Sequence, residues 1–266
     1  MGERKLPPLT VRYDLVMMRF FSYLWLPALL LLGWWAAAEA ELFPVFLLPS
    51  PGAALSRAWQ MALSGELLHH ALVSLGRVGG GFLLSGTAAL FLAGLVYESP
   101  FAARSSHLFL ESLRVIPPLS LMPLLILWLG IDEAPKLAIV VLASFFPIYL
   151  SALTALRTTG ERYLELARAL RLTRSEVYRH ILIPGSAPAL ITGLRLGFGY
   201  AWRALVSAEL LAAASGLGYM IEEAGTLMQT DVVFVGVITI ALLGMLCDRL
   251  FRLLAARILG EERTNE

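Results

Sequence analysis

Long apolar runs separated by short polar segments set the pattern of this chain. Six of the runs approach or exceed the roughly 20 residues that a helix needs to cross a bilayer, at about 21–40, 74–97, 108–130, 135–156, 187–212 and 231–251. They are too long, and alternate too little, to be barrel strands, so helices are the predicted spanning elements. The implied fold class is an all-α polytopic membrane protein with six transmembrane helices. Residues 1–20 lead into a first helix over 21–40. An outer segment over 41–73 follows, in which Leu48-Pro49-Ser50-Pro51-Gly52 precedes a short amphipathic helix at 53–65. Residues 74–258 then hold five helices, a polar loop at 157–186 and a re-entrant segment at 214–230, before a tail at 259–266. In that segment Tyr219, Met220, Ile221, Leu227 and Met228 are interleaved with Glu222, Glu223 and Gln229, which predicts a short surface helix and not a seventh span.

Basic residues orient the predicted spans. Arg4, Lys5, Arg12 and Arg19 precede the first, Arg104 lies between the second and third, and six arginines from Arg157 to Arg179 lie between the fourth and fifth. Arg252, Arg257 and Arg263 follow the sixth. The opposite loops hold Arg57 and Lys136 and little else that is basic, so the positive-inside rule places both termini in the cytoplasm. The basic front and Ala36-Ala37-Ala38 resemble a signal peptide, but the apolar run between them is longer than a signal core, so the first run is read as a retained span.

Composition supports a membrane protein. The chain has 266 residues, 58% hydrophobic, with a mean hydropathy of +0.73, more apolar than water-soluble domains. A net charge of +1 argues against a nucleic-acid partner. The one cysteine, Cys247, excludes an internal disulfide and a multi-thiolate metal site. Neither lysine, Lys5 or Lys136, lies in a phosphate-cradling Gly-x-x-x-x-Gly-Lys loop, so any ATP that drives this protein must be bound by another polypeptide. His69, His70, His107 and His180 show no metal-ligand spacing. No nucleophile–base pair stands out, so the chain is not read as an enzyme.

The polar loop is the most distinctive segment. From Arg162 to Leu172, Leu164, Ala167, Ala169 and Leu170 are interleaved with Arg162, Glu165, Arg168 and Arg171, which suits a short two-sided helix. Thr173 or Ser175 can cap a second helix from Glu176 toward Ile183, stopped by Pro184 and Gly185. Two short helices would form a knob, although an arginine-rich loop that only sets topology has the same pattern.

Ionisable residues within spans are candidates for a translocation pathway. The fifth span carries Arg195, Arg203 and Glu209, and a helical wheel allows all three on one wide stripe. Arg195 can also snorkel and Glu209 can also be an interfacial charge; Arg203 is nearest the midplane. Arg114 with Pro117 and Pro118 marks a break in the third span, where freed carbonyls must find partners or line a cavity. Gly193, Gly197 and Ala201 form a small-residue strip for close helix packing, within the chain or across a two-fold interface.

The polar loop resembles a known motif. Glu165-Leu166-Ala167, Arg171 four residues on, then nine residues and Ile181-Leu182-Ile183-Pro184 are similar in spacing to the EAA-x3-G-x9-I-x-LP loop. That loop belongs to permease subunits of bacterial type I ATP-binding-cassette importers. Leu166 replaces an alanine, Arg171 the glycine and Ile183 a leucine. Arg114-Val115-Ile116-Pro117-Pro118, Thr192-Gly193-Leu194-Arg195, Ala208-Glu209 and Ser215-Gly216-Leu217-Gly218-Tyr219 resemble the branch for aliphatic sulfonates, taurine, nitrate and bicarbonate. The resemblance covers about residues 45–258. It implies a type I permease fold in the bacterial inner membrane. It also implies a docking element at Glu165, Ala167, Arg168, Leu170, Arg171, Leu172, Thr173 and Pro184. The expected partners are two ATPase subunits that carry ATP and magnesium, a second permease copy in a homodimer, an extracytoplasmic solute-binding protein and membrane lipid. This chain itself would bind no cofactor. An ion-driven secondary transporter is the competing reading; it would show an internal repeat or a buried acid relay.

Overall fold

A computed structural model describes residues 25–259. The elements are α1 (Trp25–Glu39), α2 (Pro51–Ser64), α3 (Glu66–Glu98), α4 (Pro100–Val115), a 3-10 turn at Pro118–Leu121, and α5 (Met122–Leu129). Then follow α6 (Glu133–Ala169), α7 (Arg174–Val177), a wide helical turn at Tyr178–Leu182, α8 (Ile183–Ala212), α9 (Leu217–Thr226) and α10 (Thr230–Leu259). No strand occurs among the described residues.

Four helices are long and apolar enough to cross a membrane, and a fifth span results if the bent pair α4 and Pro118–Leu129 is counted as one. The described part of α1 is shorter than a span, and residues 21–24 of the first predicted span lie outside the described residues. Local chemistry places the ends. Ser50 caps α2 by accepting from the Ala53 N–H at 3.2 Å, and Pro51 occupies the first turn, where its missing N–H costs nothing. Ser99 and Pro100 do the same for α4.

Three expectations are corrected. The third span begins earlier than 108: α4 starts at Pro100, and the break expected at Pro117-Pro118 is a 90° turn between α4 and α5. Pro118 forces Pro117 out of the helical region, and Pro117 does the same to Ile116, leaving both extended (ψ 124° and 122°). The outer segment ends sooner than 73, because α3 begins at Glu66. The polar loop is not a knob of two short helices. Its first half is the end of the 37-residue α6, and its second half runs through Pro184 and Gly185 into α8 as a continuous helical stretch, Arg174–Ala212. The wide turn at Tyr178–Leu182 sits just before Pro184 and absorbs the clash a proline ring makes with the carbonyl one turn earlier.

The core is built from small residues. α6 packs along α8 and α3. Gly197 lies so close to α6 that a Cβ there would sit 2.5 Å from Ile148 Cγ1, and one on Gly185 would sit 2.6 Å from Thr159 Cγ2. Gly193 and Ala201 extend the strip against the same helix, so it serves packing within the chain. Leu205, Leu217, Met220 and Trp202 fill the space between α3, α8, α9 and α10, while Leu83, Leu84, Phe91 and Leu242 point outward. Apolar outside and small-residue packing inside are the arrangement expected in lipid.

Candidate functional site

The polar turn between α6 and α7 is sharply defined. The Arg171 N–H donates to the Arg168 carbonyl and the Leu172 N–H to the Ala167 carbonyl, both at 3.0 Å. This is a Schellman closure, with Arg171 at the position that takes the left-handed conformation, φ +53°. Arginine therefore sits in a left-handed position that favours glycine, at a cost of about 1 kcal/mol. Thr173 then caps α7 reciprocally: its hydroxyl accepts from the Glu176 N–H, and the Glu176 carboxylate accepts from the Thr173 N–H at 2.8 Å. Ala167 is buried, whereas Glu165, Arg168 and Arg171 are exposed, with Leu166 and Leu170 exposed beside them. Behind the turn, the Tyr178 hydroxyl donates to Glu98 at the end of α3 at 2.6 Å, and Arg174 lies 3.5 Å from the same carboxylate.

A cavity of about 750 Å³ lies between the α4–α5 bend, α6 and α8. Arg114, Pro117 and Pro118 reach it from the bend, and Tyr200, Arg203 and Ser207 from α8. Arg203 donates to the Gly199 carbonyl at 2.9 Å and lies 5.0 Å over the Tyr200 ring. No carboxylate among the described residues is within 4 Å of it. Arg114 pairs with Glu111 at 2.7 Å. The rest of the wall is mostly apolar, so the Arg203 charge faces a space poor in competing acceptors.

Arg195 and Glu209 do not share that cavity, which corrects the single-stripe expectation. Leu196, Tyr200, Arg203 and Ser207 make one face of α8, and Arg195 and Glu209 lie about 130° around the helix from it. Arg195 binds both carboxylate oxygens of Asp248 on α10. Glu209 is only 1% exposed and is surrounded by donors. Ser74 donates to it at 2.8 Å, Arg77 at 2.8 Å and the Gly218 N–H at 3.0 Å. The Leu217 N–H donates to Ser74 at 2.9 Å and the Gly216 N–H to His70 Nδ1 at 3.0 Å. The Gly216, Leu217 and Gly218 N–H groups thus end on side chains grouped around this carboxylate, as a helix N-terminus prefers. The glycines are steric requirements of the seat: Gly216 has φ +112°, and a Cβ on Gly218 would sit 2.6 Å from the Glu209 Cβ and from the Val206 carbonyl oxygen.

Arg77 links this cluster to α6. Its Nε and Nη2 bind Glu133 at 2.6 and 2.7 Å, and Lys136 lies 3.1 Å from Glu133. Two cations and two carboxylates balance. Sequence reasoning missed Arg77, Ser74, Glu133 and Lys136. The available signal was Arg77 itself, an arginine inside the second apolar run that needs a carboxylate partner. Among the described residues no cluster of His, Cys, Asp and Glu can hold a metal ion.

Residues 85–260 match the family described as binding-protein-dependent transport system inner membrane component. The putative aliphatic sulfonates transport permease protein SsuC of Bacillus subtilis (strain 168) is 34% identical over 88% of this chain and 85% of its own length. Its Escherichia coli (strain K12) counterpart is 35% identical over 84% and 85%. The taurine transport system permease protein TauC of the same strain is 34% identical over 87% and 86%. Among solved structures, a chain of the inward-facing MetNI methionine ABC transporter is 18% identical, covering 66% of this chain and 94% of that chain with a TM-score of 0.47.

Proposed function

This chain belongs to the family of binding-protein-dependent transport system inner membrane components, as a multi-pass ABC importer permease, and from that premise we propose how it works. Its turn at Glu165–Thr173 docks on a separate ATPase subunit, and its cavity passes a small anion of the sulfonate, taurine, nitrate or bicarbonate kind into the cytoplasm. ATP and magnesium belong to that ATPase, and the chain binds no cofactor.

The observation that carries the reading is the turn. Exposed Leu166 and Leu170 beside exposed Glu165 and Arg168 give it apolar contacts and a charged rim, the usual anatomy of a protein interface. Both helices that enter it continue into the bundle, so a displacement of the turn is carried there by hydrogen-bonded backbone and not by a flexible linker. Arg203 and Arg114 beside an apolar wall suit an anion with a small apolar part. The exposed Leu196 and Tyr200 continue the Arg203 face, and a second copy of the chain packed there would close the pathway as a homodimer. An extracytoplasmic solute-binding protein would deliver the solute at the opposite end of the bundle.

A cysteine at Glu165 (Glu165→Cys) tests this directly. In membranes that contain the ATPase expressed with this permease, a short cross-linker should capture the pair, with a yield that changes when ATP is added. Uptake that continues in vesicles lacking the ATPase would replace this reading with that of an ion-driven transporter.

A further inference from the structure

A second cavity, of about 570 Å³, opens between the end of α3, α4 and α6, and shares only Leu150 with the Arg114–Arg203 cavity. Arg104 and His107 on α4 and Arg157 on α6 line it. Among the described residues, neither Arg104 nor Arg157 has a carboxylate within 4 Å. The one acid in the wall, Glu111, is already bound by Arg114 at 2.7 Å. The cavity is therefore a concentration of uncompensated positive charge. Tyr149 adds a hydrogen-bond donor to the same wall. It is only 5% exposed and lines the cavity, yet its hydroxyl makes no hydrogen bond to any described residue. That hydroxyl is not among the buried polar atoms, so it reaches the cavity surface and is free to donate to a group bound there.

We propose that this cavity binds an anionic phospholipid, with its phosphate held by Arg104, Arg157 and His107. The layering selects a lipid over a free anion. Arg157 lies two helical turns, about 12 Å, along α6 from Tyr149. That separation places the phosphate at the basic rim and an ester carbonyl within reach of the Tyr149 hydroxyl. Leu108, Leu110 and Leu153 line the same cavity and offer an apolar track to one acyl chain. Leu108 and Phe109 are exposed on the outer side of α4, which gives a chain lateral entry from the bilayer. Basic pockets between helices at the arginine-rich membrane face are where anionic headgroups bind. The site stands apart from the transport reading, since it uses none of the residues assigned to the pathway or the turn.

The test is a lipid titration of the purified, detergent-solubilised protein, read by native mass spectrometry. Phosphatidylglycerol should bind with at least tenfold preference over phosphatidylcholine. Removing each guanidinium, as Arg104→Gln and Arg157→Gln, should weaken binding about fivefold, and the pair about thirtyfold. Tyr149→Phe should weaken it with the charge intact, while Arg249→Gln, an exposed charge on α10, should leave it unchanged. Equal binding of the two lipids overturns the proposal, as does wild-type binding in the double variant. Inorganic phosphate that displaces phosphatidylglycerol at matched concentration assigns the cluster to a free anion and overturns the lipid assignment.

Discussion

Glu209→Gln is the most informative single change to the buried cluster. It keeps volume and shape but leaves Arg77, Lys136 and Glu133 with a net charge of +1 in a site where the carboxylate is 1% exposed. The carboxylate accepts from Ser74, Arg77 and Gly218. A glutamine offers one carbonyl oxygen and must point its NH2 at a donor on the other side. Either Arg77 or the Gly218 N–H then loses its acceptor, at about 1–3 kcal/mol. Breaking a buried pair outright costs about 3–5 kcal/mol, and Arg77 retains Glu133, so the expected loss is about 3 kcal/mol. For a chain of this size that corresponds to a fall in Tm of about 6–12 °C, measured by thermal unfolding in detergent. The double variant Arg77→Met with Glu209→Met removes the charge and its partner together. It should recover more than half of the loss, because an apolar pair of similar volume needs no desolvation. A Tm within 2 °C of wild type for Glu209→Gln would refute the assignment of Glu209 as the seat of α9. A double variant as unstable as the sum of the singles would refute the charge argument.

Other expectations follow from the turn, the cavity and the helix seam. Arg171→Gly should stabilise the turn by about 1 kcal/mol through relief of the left-handed strain, read as slower hydrogen exchange at Arg171 and Leu172. The Thr173 hydroxyl and backbone N–H hold the Glu176 carboxyl below the ordinary carboxylate range. A carboxylate with a depressed pKa stabilises the fold above its unfolded pKa and loses that contribution as pH falls through its folded pKa. The cap should therefore open only below about pH 4, and Glu176→Ala, which removes the acceptor, should expose Arg174 to trypsin at neutral pH. Arg203→Ala should lower anion uptake at least tenfold in reconstituted vesicles while the permease still co-purifies with its ATPase; full uptake would remove Arg203 from the pathway. Gly197→Val should destabilise by about 1–3 kcal/mol, since its branched carbons have no room beside Ile148, and should lower Tm.

The long apolar runs, the turn and the small-residue strip were legible in the sequence because each depends on local spacing. A run of about 20 apolar residues has few soluble alternatives, and Thr173 with Glu176 three residues on specifies its own cap. Positions that depend on a partner helix were not legible. A wheel gives the angle between Arg195, Arg203 and Glu209 but not which neighbour stands at each angle. Asp248 on α10 takes Arg195, Arg77 on α3 takes Glu209, and Arg203 is left facing the cavity. Pro184 misled for a related reason. A proline ends an isolated helix, but here the wide turn before it, and Gly185 pressed on Thr159, keep the helix running into the bundle.

The seam between α6 and α8 limits how the proposed docking can act. Gly197 and Gly185 bring the two helices into direct contact along most of the bundle, with no layer of long side chains to slide through. α6 alone extends about 55 Å, from Glu133 in the charged cluster to Ala169 at the turn. A shift of the turn by an ATPase would therefore move α6 and α8 as one body and carry the Arg77–Glu133–Glu209 cluster with it. The compliant joint has to lie elsewhere. The 90° bend at Ile116–Pro118 is the candidate, because it lacks the hydrogen bonds its two prolines cannot donate and carries Arg114, Pro117 and Pro118 past Arg203. If so, a disulfide between cysteines at Thr159→Cys and Ser186→Cys, whose hydroxyls lie 3.3 Å apart across the seam, joins α6 to α8 and should leave transport intact. A disulfide that ties the 3-10 turn after the bend to α8, at Leu121→Cys and Ala204→Cys beside the cavity, should stop it. Transport that fails with the first and survives with the second would place the moving joint in the seam and reverse the argument.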